Sequence, residues 1–258
     1  VSEIWSDVMP VYEMPTTTPE LEIETQNGET KKLRIDMRDL AGISQKENRF
    51  ADVKTLIKEY DRWKDELSRR AQTDDDLRNE RITAQIIERI EHVSQRIKTG
   101  FALIEDGDPD VRRAFELANE AMFIAQTRGA INLRTPSWEG TSNRDIDGNW
   151  VFDTPYEPFD YNKAYENIGY WRPFQIAFLL MSLCGLANDD HPEREEVDLI
   201  WFPTGGGKTE AYLGVIAYLL FLKRLRGEES SGATVLMRYT LRLLTAQQFE
   251  RAATLFCA

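Results

Sequence analysis

Apolar residues recur along this chain with several different periods, and each change of period marks an element. Around Asn27-Gly28 the period is two: LEIET (21–25) precedes the pair and TKKLRID (30–36) follows it. Alternation on both sides of Asn-Gly predicts a β-hairpin, because that dipeptide accepts the positive φ values of a type I′ turn. Residues 1–19 are rich in Pro and Thr and read as an extended arm, and 38–50 read as loop. Between 51 and 130 the period lengthens to three and four. Val53, Leu56, Ile57, Tyr60 and Leu67 predict a helix over 51–69. Ile82, Ile86, Ile90, Val93 and Ile97 predict a second over 79–99, with Gly100 as its C-terminal cap. The third opens on Asp108-Pro109, an N-cap followed by proline at the first helical position, and carries Val111, Phe115, Ala118, Met122 and Ala125 to Gly129. Stripes of this kind are usually core faces. Residues 51–130 are therefore expected to form a helical module packed on itself and on its neighbour.

Over 131–165 the periodicity disappears. Pro, Asn, Asp and Gly interrupt the chain, and Trp138, Trp150, Phe152, Tyr156, Phe159 and Tyr161 are scattered through an acidic background. This segment reads as a linker or long loop held to the surface by its aromatics, and loops of that length are often functional. From 166 the pattern becomes α/β. NIGYWRPFQIAFLLMSLCGLA (167–187) predicts an apolar helix, VDLIWF (197–202) a strand, 208–226 a helix, ATVLM (233–237) a strand, and about 244 to the end another helix. Two apolar strands joined by a crossover helix predict a right-handed βαβ unit with parallel strands buried on both faces.

Candidate chemistry sits between the first of these strands and its helix. Thr204-Gly205-Gly206-Gly207-Lys208-Thr209-Glu210 follows Pro203, in the strand–glycine turn–helix context that a phosphate-binding loop requires. Glycines let backbone N–H groups approach an anion, and a helix N-terminus offers unsatisfied donors together with a favourable dipole. Lys208 is then placed to reach the β- and γ-phosphates of ATP, and the Thr209 hydroxyl to ligate Mg²⁺. The strict G-x-x-x-x-G-K-[ST] pattern asks for glycine where Phe202 stands, so the loop resembles instead the P-T-G-x-G-K-T form of superfamily 2 helicases.

Two flanking blocks extend that reading. Arg172-Pro173-Phe174-Gln175 resembles the adenine-reading Q motif of the same superfamily, and a glutamine amide pairs its donor and acceptor with adenine N6 and N7. Arg238-Tyr239-Thr240-Leu241-Arg242-Leu243-Leu244-Thr245-Ala246-Gln247 resembles helicase motif Ia, with Tyr239 in place of its proline. Hydroxyl and guanidinium groups beside the N–H groups of a new helix hold nucleic-acid phosphates without reading sequence. Arg238, Thr240, Arg242 and Gln247 are thus the candidate DNA-backbone residues. Thr245 and Gln248 also have the spacing of a capping box, which would start the helix later.

Charge changes the picture only locally. The net charge of −12 argues against nucleic acid, but residues 1–196 carry −14 and residues 197–258 carry +2. The acidity thus lies upstream of the loop, where it serves solubility. Two cysteines without metal or redox spacing fit a reducing, cytoplasmic compartment, and His92 and His191 are far apart. The longest apolar run, 211–222, is too short to span a bilayer, so no membrane role is expected. Val1 is not an initiator and Cys257-Ala258 falls inside a helix pattern, which predicts a fragment of a longer protein.

Taken together, WRPFQIAFLL, WFPTGGGKTEAYLGVIAYLLFLKRLRG and VLMRYTLRLLTAQQFERAA resemble the DrmA family, the helicase subunit of the DISARM anti-phage defence system. The likeness is firm over 166–258 and fainter over the helices, chiefly FELANEAM (115–122). It implies a cytoplasmic, ATP-dependent, DNA-engaging superfamily 2 protein that works with a DUF1998-type partner subunit. The fold class expected is α/β: the first βαβ unit of a RecA-like P-loop domain at 166–258, preceded by the helical module and hairpin. No D-E-x-[DH] box, second RecA-like domain or arginine finger follows, so the fragment alone is expected to be inactive and not self-sufficient. A nucleotide-binding assembly scaffold and another P-loop class, such as a kinase or AAA+ ATPase, are the alternatives.

Overall fold

A computed structural model of the chain describes residues 18, 20–24, 27–44, 46–73, 80–130, 135–140, 148–155, 160, 168–201, 206–227, 232–238 and 242–258. Strands β1 (Glu22–Glu24) and β2 (Thr30–Lys32) pair antiparallel around Asn27-Gly28, with Ile23 opposite Lys31. Strand β3 (Ile35–Asp36) runs directly into a short helix, α1 (Met37–Ala41), where a loop was expected. Asp36 starts that helix: its Oδ1 accepts the Arg38 N–H at 2.8 Å, as an N-cap residue does.

Helices α2 (Ala51–Thr73), α3 (Glu80–Glu105) and α4 (Pro109–Ala130) follow. Asp108 caps α4, accepting the Asp110 N–H at 2.8 Å, and Pro109 takes the first helical position. The cap expected at Gly100 is not there, because α3 continues to Glu105. A Cβ on Gly100 would lie 1.9 Å from the Leu180 carbonyl oxygen. This glycine lets α3 approach the backbone of another helix; it does not end its own.

Strands β4 (Pro136–Glu139) and β5 (Asn149–Phe152) form a second antiparallel hairpin inside the segment read as linker. Trp138 faces Trp150 across the pair, ring centroids 5.4 Å apart and nearly perpendicular. The sequence did not show this because an exposed pair of strands carries no apolar alternation. Strand β6 (Tyr170–Trp171) pairs antiparallel with β3 and leads into α5 (Pro173–Ala187). A 3₁₀ turn (Pro192–Glu195), α6 (Lys208–Leu225) and α7 (Arg242–Cys257) complete the described elements.

Among the described residues no parallel strand pair forms, and the stretches 196–201 and 235–238 have no strand partner. Val197, Leu199 and Trp201 are 96%, 85% and 71% exposed, whereas the intervening Asp198 and Ile200 are half-buried. The apolar run is extended-chain material with one face held and the other open.

One hydrophobic core joins segments that the sequence presented as separate units. It draws Ile35 and Met37 from the arm region, Phe115 and Met122 from α4, and Leu180 and Tyr218 from α5 and α6. Helix α4 packs along α6, α3 along α5, and α7 on α4. At the centre stands Trp171, 2% exposed. Its Nε1–H donates to Asn119 Oδ1 at 2.6 Å, and the Asn119 amide donates to the Phe115 carbonyl at 2.8 Å. The indole lies flush against α6: a Cβ on Gly214 would come within 2.7 Å of its ring.

Replacing that indole empties the junction and strands a buried amide. Trp171→Ala should lower the unfolding free energy by about 3–5 kcal/mol, read from urea denaturation. A loss below roughly 1 kcal/mol, the scale of an ordinary surface change, would remove Trp171 from the centre of the core.

Candidate functional site

The described part of the glycine loop is Gly206-Gly207, followed by the first turn of α6, Lys208-Thr209-Glu210. Phe202, Pro203, Thr204 and Gly205 lie outside the described residues. Gly207 is the N-cap of α6, with φ 88° and ψ 28°. That left-handed conformation favours glycine. Space demands it as well: a Cβ there would meet Gln175 Nε2 at 2.6 Å, Glu210 Oε2 at 3.4 Å and Arg172 Nη1 at 3.5 Å.

The N-terminus of α5 holds the loop by its carbonyls. Arg172 Nη1 donates to the Gly206 carbonyl at 2.5 Å, and Gln175 Nε2 donates to the Gly207 carbonyl at 2.8 Å. Gln175 Oε1 accepts the Arg172 N–H at 2.8 Å, so this buried amide is braced at both ends. A trans peptide sets its N–H opposite its C=O. With the carbonyls of 206 and 207 drawn toward α5, the N–H groups of Gly207 and Lys208 face away from it. They stand at the N-terminus of an 18-residue helix, where donors and dipole favour an anion.

Two sites of the sequence reading are thereby brought together. Arg172 and Gln175, expected at an adenine, bond the backbone of the glycine loop in this structure. Lys208 and Thr209 are half-buried at the start of α6. Of the candidate DNA-contact block, Arg238 and Gln247 are exposed. Thr240 and the Arg242 side chain lie outside the described residues. Helix α7 begins at Arg242, so Thr245 and Gln248 sit inside it and not at the capping position.

Two arginines absent from the sequence reading complete the surroundings. Arg251 of α7 pairs with Glu210 Oε1, while Glu210 Oε2 is buried with no hydrogen-bond donor. Burial lowers the pKa of Arg251 from its usual value. Arg96 of α3 is 4% exposed and grips the segment that enters the loop. Its terminal nitrogens donate to both Asp198 oxygens at 2.6 and 2.8 Å, its Nε to Glu193 at 3.0 Å, and Nη2 to the Met181 carbonyl at 3.2 Å. The Asp198 hydrogen bond raises the Arg96 pKa despite burial. No spacing rule links residues so far apart in sequence; each was visible only as a charge near an apolar stripe. Among the described residues no cluster of His, Cys, Asp and Glu could hold a metal ion, and no helix is long and apolar enough to cross a membrane.

No family model and no solved structure matches the chain. It is 32% identical, over 266 residues that take in its whole length, to the DISARM protein DrmA of Bacillus paralicheniformis. The chain belongs to the DrmA family. It spans 21% of the length of that relative. In this DrmA-family chain the loop and its α5 brace lie within the stretch aligned with that relative.

The brace makes Gly207 intolerant of a side chain. Gly207→Ala should destabilise the chain by about 1–3 kcal/mol, through the strained φ and the collision with Gln175. Chemical denaturation measures this, and an unchanged midpoint would mean that the loop is not held by Gln175.

Proposed function

We propose that the 204–209 loop binds the triphosphate of ATP as part of a RecA-like domain in an ATP-driven superfamily 2 DNA helicase or translocase of anti-phage defence. One observation carries the reading: Arg172 and Gln175 hold the loop carbonyls, so that the N–H groups of Gly207 and Lys208 face the other way. A loop stabilised with its donors outward is prepared for an anion before the anion arrives. Gly207 has no room for a Cβ beside Gln175, so it presents bare backbone, as the close approach of a polyphosphate needs.

In this reading Lys208 contacts the β- and γ-phosphates, and the Thr209 hydroxyl holds Mg²⁺, which neutralises charge on the phosphates. Glu210 orders the first turn of α6 through its pair with Arg251. Arg238, Thr240, Arg242 and Gln247 contact DNA phosphates and carry no base information. Hydrolysis is assigned to the whole protein, in the cytoplasm and alongside a DUF1998-type partner subunit. A second reading, a nucleotide-binding scaffold that docks a partner, draws on the exposed Trp63, Ile82, Ile86 and Trp150. Turnover separates the two readings.

Lys208→Ala in the full-length protein should abolish DNA-stimulated ATP hydrolysis while leaving the fold intact. Retained turnover refutes the motor assignment. Arg242→Ala should weaken duplexes of every sequence alike and reduce the slope of log affinity against log salt by about 0.7–0.9, the signature of one lost phosphate contact. An unchanged slope takes Arg242 out of the interface.

A further inference from the structure

The glycine loop offers its N–H groups at the start of α6, and a carboxylate stands in the same place. Glu210 lies in the first turn of that helix, directly after Lys208-Thr209. The helix dipole favours a carboxylate there while the loop is empty. Once a polyanion arrives at the same end, the two like charges oppose each other. The separation is short: Glu210 Oε2 lies 3.4 Å from the Cβ position of Gly207, whose N–H is one of the outward donors. Water screens the carboxylate only in part, since its side chain is 19% exposed.

What neutralises Glu210 comes from another helix. Arg251 of α7 pairs with it through Oε1, and Oε2 is buried with no hydrogen-bond donor. Burial has stripped part of the water from this guanidinium, and the carboxylate is what it gains in exchange. Helix α7 packs chiefly on α4 and touches α6 only lightly. The cation thus reaches the first turn of α6 from a helix seated on a different neighbour. Where α7 stands decides how far the Glu210 charge is covered.

We propose that Arg251 is a positioning residue for anion binding at the glycine loop: it masks the Glu210 carboxylate, and the loop takes a polyphosphate tightly only while the mask is in place. Arg251 acts through Glu210 and does not touch the ligand. The proposal rests on the phosphate-binding reading of the loop and adds the residue that sets the charge the loop presents.

The test follows two probes on full-length protein in Mg²⁺ by calorimetry: ATP, and inorganic tripolyphosphate, which carries the charge without a nucleoside. Arg251→Met keeps an unbranched apolar stem and removes the cation. It should weaken both probes about tenfold, within the usual range for coupled sites. Adding Glu210→Gln to Arg251→Met should bring both back to within about twofold of wild type, because no charge is left to mask. A pair that only holds α7 in place predicts the reverse, a double variant as weak as Arg251→Met or weaker. Glu210→Gln alone leaves the cation unopposed beside the loop and should tighten both probes about threefold. That variant decides the matter if Arg251→Met does not fold. Unchanged affinities in folded Arg251→Met, no recovery in the double variant, or unchanged or weaker binding by Glu210→Gln each overturns the mask. If wild-type protein binds neither probe, the phosphate reading itself fails and the mask falls with it. Wild-type binding of both probes with unmoved variants defeats the mask alone.

Discussion

The described structure turns on the burial of one indole. Trp171 fills the gap between α4 and α6, and Gly214 is what lets α6 come close enough to close it. The indole N–H cannot go unpaired in such a place, since a buried donor without a partner costs about 1–3 kcal/mol. Asn119 accepts it and passes its own amide proton to the Phe115 carbonyl. The cation-bearing end of α5 starts at the next residue, so the packing that fixes Trp171 also fixes Arg172 and Gln175. Strand pairing adds a second constraint, because Trp171 lies opposite Ile35 in the short β3–β6 ladder. Chain from the N-terminal region is thus part of what positions the glycine loop.

From that anchor the loop geometry follows by short steps. Arg172 and Gln175 are placed by α5, and they pull the carbonyls of Gly206 and Gly207 to one side. The opposite end of the entering segment is fixed by Arg96, which ties 193–198 to α3. A guanidinium this buried is tolerable only because Asp198 pairs with it in bidentate form and Glu193 and the Met181 carbonyl accept further N–H groups. The helical module therefore reaches the loop through two routes, one apolar through α4 and Trp171 and one ionic through α3 and Arg96. Neither route passes through the glycines themselves.

Local signals were legible in the sequence, and long-range ones were not. Asn27-Gly28 and Asp108-Pro109 act within a few residues of themselves, and both stand where their chemistry suggests. Gly100 shows the limit. Glycine after an apolar stripe serves as a cap or as a point of close approach, and only the position of Leu180 distinguishes the two. Gln175 shows another: an amide able to pair with adenine is equally able to pair with a peptide, and the nearer partner is the Gly207 carbonyl. The partners of Arg96 and Arg251 left no trace because ion pairs between distant segments have no period. The β4–β5 hairpin escaped because its side chains are largely exposed, and alternation arises only where one face is buried.

The apolar run before the loop is the most instructive case. Its composition suits a strand covered on both faces, yet Val197, Leu199 and Trp201 are open while Asp198 and Ile200 turn inward. Period-two exposure is the mark of a strand with one face covered, here by α3 and α5. A run this apolar does not gain by facing water, at about 25 cal/mol per Å² of exposed apolar surface. In the RecA-like reading that open face and the unpaired edges are where neighbouring strands and the second helical layer belong. Val235 and Leu236, exposed in the other expected strand, have the same character. Sequence composition reports the surroundings a strand is adapted to, and the exposures report the surroundings it has in these residues. Where the two disagree, as at Val197, Leu199 and Trp201, an apolar face stands uncovered among the described residues.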